Sequence, residues 1–222
     1  MTGKNIRRFL RDSFWDAAGG TRAIDLMACI ALWVGLTMLT GATPTVADAA
    51  SADAMAQVKS AVAKARQLLA DPAYKSAPES KRAQLLKLLD DNFDFDGMAR
   101  SSLGSYWKQL GPAERQHFVG LFHQRLERRY VRIIEDYSGA QINFLRQNST
   151  GPDRAEVYTN VVNPMLAEPL ELNYLLRRTH DTWKVYDINI AGISEVDSYR
   201  KEYNQVINSQ GYAALLKKLS AP

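Results

Sequence analysis

The chain has 222 residues, 46% of them hydrophobic and 23% charged, enough to bury one ordinary core. Its 28 Lys and Arg against 24 Asp and Glu give a net charge of +4, too mild a field to argue for a nucleic-acid partner. The single cysteine, Cys29, excludes an internal disulfide and a Cys-based metal site, so the core must stand alone.

The first segment reads as an export signal. Arg7, Arg8, Arg11 and Arg22 precede a run without charge from Leu26 to Ala47, which ends in Ala47-Asp48-Ala49. A basic start, an apolar run and a small-x-small exit are the parts of a secretory signal peptide. Cleavage is expected after Ala49, with residues 50–222 as a single domain in the periplasm. Uncut, the same run is long enough to anchor the chain in a bilayer. Arg7-Arg8 and Leu26-Met27-Ala28-Cys29 imitate twin-arginine and lipoprotein signals, but their spacing from the apolar run is wrong for both.

Residues 50–137 read as mainly helical. Val58, Ala61, Val62, Ala65, Leu68 and Leu69 recur at helical spacing, with Ser51 as the expected N-cap and Asp71-Pro72 as the stop. Pro78 opens a second helix carrying Leu85, Leu86, Leu88 and Leu89. A short helical stretch follows through Met98, Leu103 and Trp107. The longest helix is predicted from Pro112 to Tyr137, with an aromatic and aliphatic stripe through Phe118, Phe122, Leu126, Tyr130 and Ile134.

After Tyr137-Ser138-Gly139 the period changes from helical to alternating. Strands are predicted at 141–145, 155–162, 170–177 and 183–190, joined by short turns, which suggests an antiparallel meander over 138–193. Residues 195–208 and 212–219 return to helix. Helices, sheet, then helices is an α+β architecture.

Motifs for catalysis are missing. Asn92, Asp94, Asp96 and Gly97 imitate the start of a calcium loop, but the twelfth position is Leu103, so the expected role of Asp94 or Asp96 is to cap the next helix. His117 and His123 are six apart on a helix and cannot share a metal; neither they nor His180 has an evident partner nearby in sequence. No G-x-S-x-G, H-E-x-x-H or phosphate loop occurs. No catalytic residue, metal or cofactor is assigned.

Residues 93–220 resemble the periplasmic phospholipid-binding proteins of the toluene-tolerance, or MlaC, family, including its hopanoid-associated relatives. Phe93-Asp94-Phe95-Asp96-Gly97-Met98 with Leu103-Gly104 and Trp107 fits the early block. Pro112-Ala113-Glu114-Arg115 with Phe118, Phe122, Leu126, Tyr130 and Tyr137 fits the long helix. Trp183-Lys184-Val185-Tyr186-Asp187-Ile188, Ile190 and Gly192-Ile193-Ser194 fit the last strand and its exit, and Tyr199-Arg200 with Tyr203 the helix after it. The resemblance implies an NTF2-like cone, in which a curled antiparallel sheet and helices enclose an apolar cavity. It implies a soluble carrier that hides the acyl chains of a phospholipid or hopanoid-like lipid, with lipid as cargo rather than cofactor. It also implies an inner-membrane, ABC-type lipid-transport complex and an outer-membrane lipoprotein complex as partners. The carrier is taken as a monomer.

On that implication the pocket is expected to be lined by Phe122, Leu126, Tyr130 and Ile134 from the long helix. Val157, Val161, Leu172, Tyr174, Tyr186, Ile188 and Ile190 are expected from the sheet, with Gly192, Ile193 and Ser194 at the mouth. Arg177, Arg178, Lys201, Lys217 and Lys218 are read either as head-group contacts or as a solvated face. Two other readings stay open. One is an NTF2-like enzyme with Asp187 as acid or base in the pocket. The other is a membrane-tethered interaction protein that keeps residues 26–47.

Overall fold

The computed structural model describes residues 46–221 except 77 and 165. Most of the apolar run, the basic region and Cys29 therefore lie outside the described residues, and with them most of the expected signal peptide. Among the described residues no helix is long and apolar enough to cross a membrane.

Four helices come first: α1 (Val46–Ala70), α2 (Ala73–Ser76), α3 (Pro78–Asn92) and α4 (Phe95–Leu103). A 3-10 turn at Gly104–Gln109 leads to the long helix α5 (Pro112–Asp136). The sheet follows as β1 (Gln141–Gly151), β2 (Arg154–Val162), β3 (Leu170–Thr179), β4 (Thr182–Ile190) and the short β5 (Ile193–Ser194). The chain closes with α6 (Glu195–Gln210) and α7 (Tyr212–Ser220). Helix α1 starts at Val46, so Ser51 sits within it and is not its cap.

Local chemistry sets the helix ends. Asp71 Oδ1 accepts a hydrogen bond from the Ala73 amide after α1 stops. Asp94 Oδ1 accepts from the Gly97 amide at 3.0 Å and caps α4. At α5, Pro112 takes the first turn and Glu114 reaches back to accept from the Gly111 amide at 2.7 Å. Helix α6 has two caps. Ser194 Oγ accepts from the Asp197 amide, and Asp187 Oδ1 accepts from the Val196 amide, both at 3.0 Å.

The five strands pair in sequence order, each antiparallel to the next. Ala155, Val157, Thr159 and Val161 alternate as the buried face of β2. The register sets them opposite Leu176, Tyr174, Leu172 and Leu170 of β3. Of three register irregularities in the sheet, two move the buried face. One in β1, between Phe144 and Arg146, leaves Leu145 unpaired and 57% exposed. The other, in β4, skips Tyr186, so Val185 faces Leu176 while Ile188 faces Tyr174. Each bulge hands the buried face to residues of the other parity.

The open edge of β4 is covered from the helical side. Phe93 bridges Val185, and the Asp94 amide donates to the Val185 carbonyl at 2.9 Å. Gln57 of α1 grips the Trp183 backbone with both ends of its amide, accepting from the Trp183 N–H at 3.0 Å and donating to its carbonyl. Behind this layer, Phe118 and Phe122 of α5 pack edge-on against Tyr203 of α6, with ring centroids 6.1 and 6.4 Å apart. Leu215 and Leu219 of α7 are fully buried in the same core.

Candidate functional site: an apolar cavity between helices and sheet

Between the buried face of the sheet and helices α1, α3 and α5 lies a cavity of about 240 Å³. Three helices and the sheet build its wall. Val58, Ala61, Val62, Ala65 and Leu69 form one stripe of α1, recurring every three or four residues. Leu85, Leu88 and Leu89 come from α3. Tyr130, Ile133 and Ile134 come from the last turns of α5, and Tyr137 is its C-cap. Leu170, Leu172, Tyr174 and Leu176 of β3 meet Val185, Ile188 and Ile190 of β4 across the sheet.

Two charged groups mark the wall. Arg66 donates from Nη2 to the Ala140 carbonyl at 2.5 Å, tying α1 to the turn after α5. Glu195 is 2% exposed. Its Oε2 accepts from the Tyr130 hydroxyl at 2.6 Å, and its Oε1 lies 2.8 Å from Arg129 Nη2. Burial pushes the Tyr130 phenol well above its ordinary pKa, and the Glu195 carboxylate adds to that. Burial works against the Arg129 charge, but Tyr199 and Glu195 outweigh it and hold the guanidinium above its usual value. A buried carboxylate is tolerable because it is paired and hydrogen-bonded. Tyr174 has only burial acting on it, which lifts its phenol to about 12.

Seven of the residues expected at the pocket line this cavity: Tyr130, Ile134, Val161, Leu172, Tyr174, Ile188 and Ile190. The other seven lie elsewhere. Phe122 and Leu126 are fully buried, but on the part of α5 that α6 and α7 cover; Phe122 meets Tyr199 edge-on at 5.7 Å. Val157 is buried in the core away from the cavity wall. Tyr186 is the residue at the β4 bulge, and its ring lies under the Arg154 guanidinium at 5.2 Å. Gly192 and Ala191, at φ +78° and +49°, make the tight turn that joins β4 to β5. Ile193 is 50% exposed and Ser194 caps α6; these residues expected at the mouth lie between Ile190 and Glu195, which line the cavity, without lining it themselves. The α1 and α3 residues were missed. Their stripes were visible as helical periodicity, but nothing in a stripe tells which cavity it faces. The small residues Ala61 and Ala65 were the available hint of room beside α1.

Asp187, the acid or base of the enzyme reading, is not on the cavity wall. Its Oδ1 accepts from the Ile188 and Val196 amides at 2.8 and 3.0 Å, and its Oδ2 from Ser194 Oγ at 2.5 Å. Burial raises its pKa, against the pull of those three hydrogen bonds. The carboxylate joins β4 to α6. Three of the five surface cations have partners. Arg177 pairs with Asp94, Lys218 lies 2.7 Å from Glu202, and Arg178 sits over the Trp183 ring at 5.6 Å. The pair with Arg177 and the cap to Gly97 occupy the Asp94 carboxylate at the third position of the calcium-like sequence.

The model of the MlaC protein family matches residues 59–221, from α1 to the end of the described chain. The chain belongs to the MlaC protein family. An MlaC relative from Haemophilus influenzae, named intermembrane phospholipid transport system binding protein, is 27% identical over 120 residues. That match covers 53% of this chain and 56% of the Haemophilus protein, so the chain spans little more than half of that relative. A solved structure of a phospholipid-binding protein from Ralstonia solanacearum, determined with a phospholipid bound, superposes with a TM-score of 0.65. It is 26% identical, and the match covers 75% of this chain and 94% of that one. The MlaC fold is thus the α+β arrangement expected here, helices around a curled antiparallel sheet, with a fifth short strand added.

Proposed function

We propose that this chain is a periplasmic lipid carrier that shelters phospholipid acyl chains in the cavity and ferries them between the inner and outer membranes. The observation that carries the reading is the wall itself: side-chain hydrocarbon from three helices and the sheet surrounds a void next to the buried core. Burying an acyl chain gains ~0.8 kcal/mol per methylene, so such a wall holds lipid without specific head-group chemistry. The names of the Haemophilus and Ralstonia relatives, one of them solved with phospholipid, support the same cargo. An inner-membrane, ABC-type lipid-transport complex would hand lipid over on one side and an outer-membrane lipoprotein complex on the other. The cargo is lipid and no cofactor takes part. Residues 1–49 direct export and are removed after Ala49. The seven predicted residues on the wall, with the α1 and α3 stripes, are the proposed acyl-chain contacts.

The test is to express the full chain in a bacterium and recover it from the periplasmic fraction without detergent. Native mass spectra should show a discrete added mass, with near-stoichiometric phospholipid in the organic extract and an N-terminus at Ala50. Protein that arrives empty and takes up no phospholipid from vesicles would overturn the carrier. An intact N-terminus in the membrane fraction would favour a tethered protein.

A further inference from the structure

Behind the cavity wall, α3 and α5 bring three metal-ligating side chains together. His123 Nε2 lies 2.7 Å from Asp90 Oδ1 and 3.7 Å from Glu127 Oε1. The three ligand atoms all fall within 4.8 Å of one another. The structure thus supplies the partners for His123 that the sequence did not reveal. His123 and Glu127 are one helical turn apart, so both project from the same face of α5, and Asp90 comes from the facing helix.

Imidazole with two carboxylates is a donor set that zinc accepts, with three protein ligands and a fourth position for water. Zinc bonds of ~2.0–2.2 Å at tetrahedral angles put ligand atoms about 3.3 Å apart. The observed spacings fall on both sides of that value. The side chains of Asp90, His123 and Glu127 are 46, 33 and 20% exposed, so small rotations bring them into range.

The charge balance also favours a cation. Two carboxylates converge there on one imidazole. The nearby lysines are bonded elsewhere. Lys87 pairs with Asp91 at 2.8 Å, and Lys184 donates to the Asp90 carbonyl, not to its carboxylate. Arg128 is directed toward the Ala221 carbonyl, 3.4 Å away.

We propose that Asp90, His123 and Glu127 form a binding site for a zinc-class divalent cation. The site clamps two helices that both line the cavity. His123 packs on Phe95 at 4.5 Å, Phe95 stacks on Phe93 at 5.5 Å, and Phe93 is on the cavity wall. An ion there fixes α3 against α5 and stiffens that wall.

The experiment is titration of the untagged, exported protein with zinc chloride in metal-free buffer, followed by calorimetry. One equivalent should bind. His123→Gln and Asp90→Asn should each weaken binding more than about tenfold. His117→Gln and His180→Gln, which alter the two other histidines, should leave it unchanged. The thermal midpoint of the unaltered protein should rise with zinc, and that of His123→Gln should not. The proposal is overturned if no saturable binding occurs, if His123→Gln binds as tightly as the unaltered protein, or if the His117 or His180 variant abolishes binding. Should His123→Gln fail to fold, Asp90→Asn, changed at an exposed position on α3, carries the test. Zinc binding is read without lipid, so its result is independent of the carrier reading.

Discussion

Replacing Ala65 with leucine should expel cargo while leaving the fold intact. Ala65 lies on the α1 stripe that lines the cavity. Alanine and leucine have nearly equal helix propensities, so α1 should form as before. The new side chain enters a void and does not crowd a packed core. It adds about three carbon atoms, which displace a similar number of lipid methylenes. At ~0.8 kcal/mol each this costs the bound lipid ~2.4 kcal/mol. Affinity should fall ~50-fold, since each 1.4 kcal/mol is about tenfold. The assay is competition between a fluorescent phospholipid and unlabelled lipid, with native mass spectra of the purified variant beside it. Ala63→Leu, at an exposed position of the same helix, is the control and should bind normally. A folded Ala65→Leu protein that retains full lipid affinity would refute the assignment of this void as the cargo site.

Other substitutions separate stability from cargo. Phe122→Ala removes a fully buried ring and should cost ~3–5 kcal/mol in urea denaturation, while the folded fraction keeps its lipid because Phe122 is off the wall. Glu195→Ala removes the buried carboxylate that Tyr130 and Arg129 share, and should destabilise by ~1–3 kcal/mol on the same assay. Tyr174 is neutral in the fold up to about 12, against an ordinary 10. Its contribution is complete below pH 10 and is lost as pH rises through 12, because the unfolded phenol ionises first. Tyr174→Phe should therefore flatten the fall of the thermal midpoint between pH 10 and 12, without abolishing it, since Tyr130 and Tyr199 are shifted in the same direction.

The elements were legible because their periods are clean. Pro78 and Pro112 mark helix starts, Asp71-Pro72 marks a stop, and Leu170, Leu172 and Tyr174 alternate with Glu171 and Asn173. The wall was only half legible, and the bulges explain part of the loss. Strict alternation through β4 puts Tyr186 with Ile188 and Ile190, but one unpaired residue moves Tyr186 outward and Val185 inward. A bulge of the same kind hid the second half of β1, which runs to Gly151 where a strand ending at Leu145 was expected. The long-helix error has a different origin. Its stripe is continuous from Phe118 to Tyr137, yet only the last two turns face the void. The earlier turns face α6 and α7, whose packing no local pattern encodes. Partners of Glu195 and His123 come from 65 and 33 residues away, so they too were invisible to a reading along the chain.

The grip of Gln57 on Trp183 spans 126 residues. As the polypeptide emerges amino end first, α1 appears at the start and the strand it must seat against appears near the end. One wall of the cavity is therefore available early but has nothing to close upon until β4 is made. Contacts of such long reach form late, after the loop entropy between them has been overcome. The vessel is sealed when its first described helix meets its fourth strand, and an acyl chain has no finished shelter before most of the protein has been delivered.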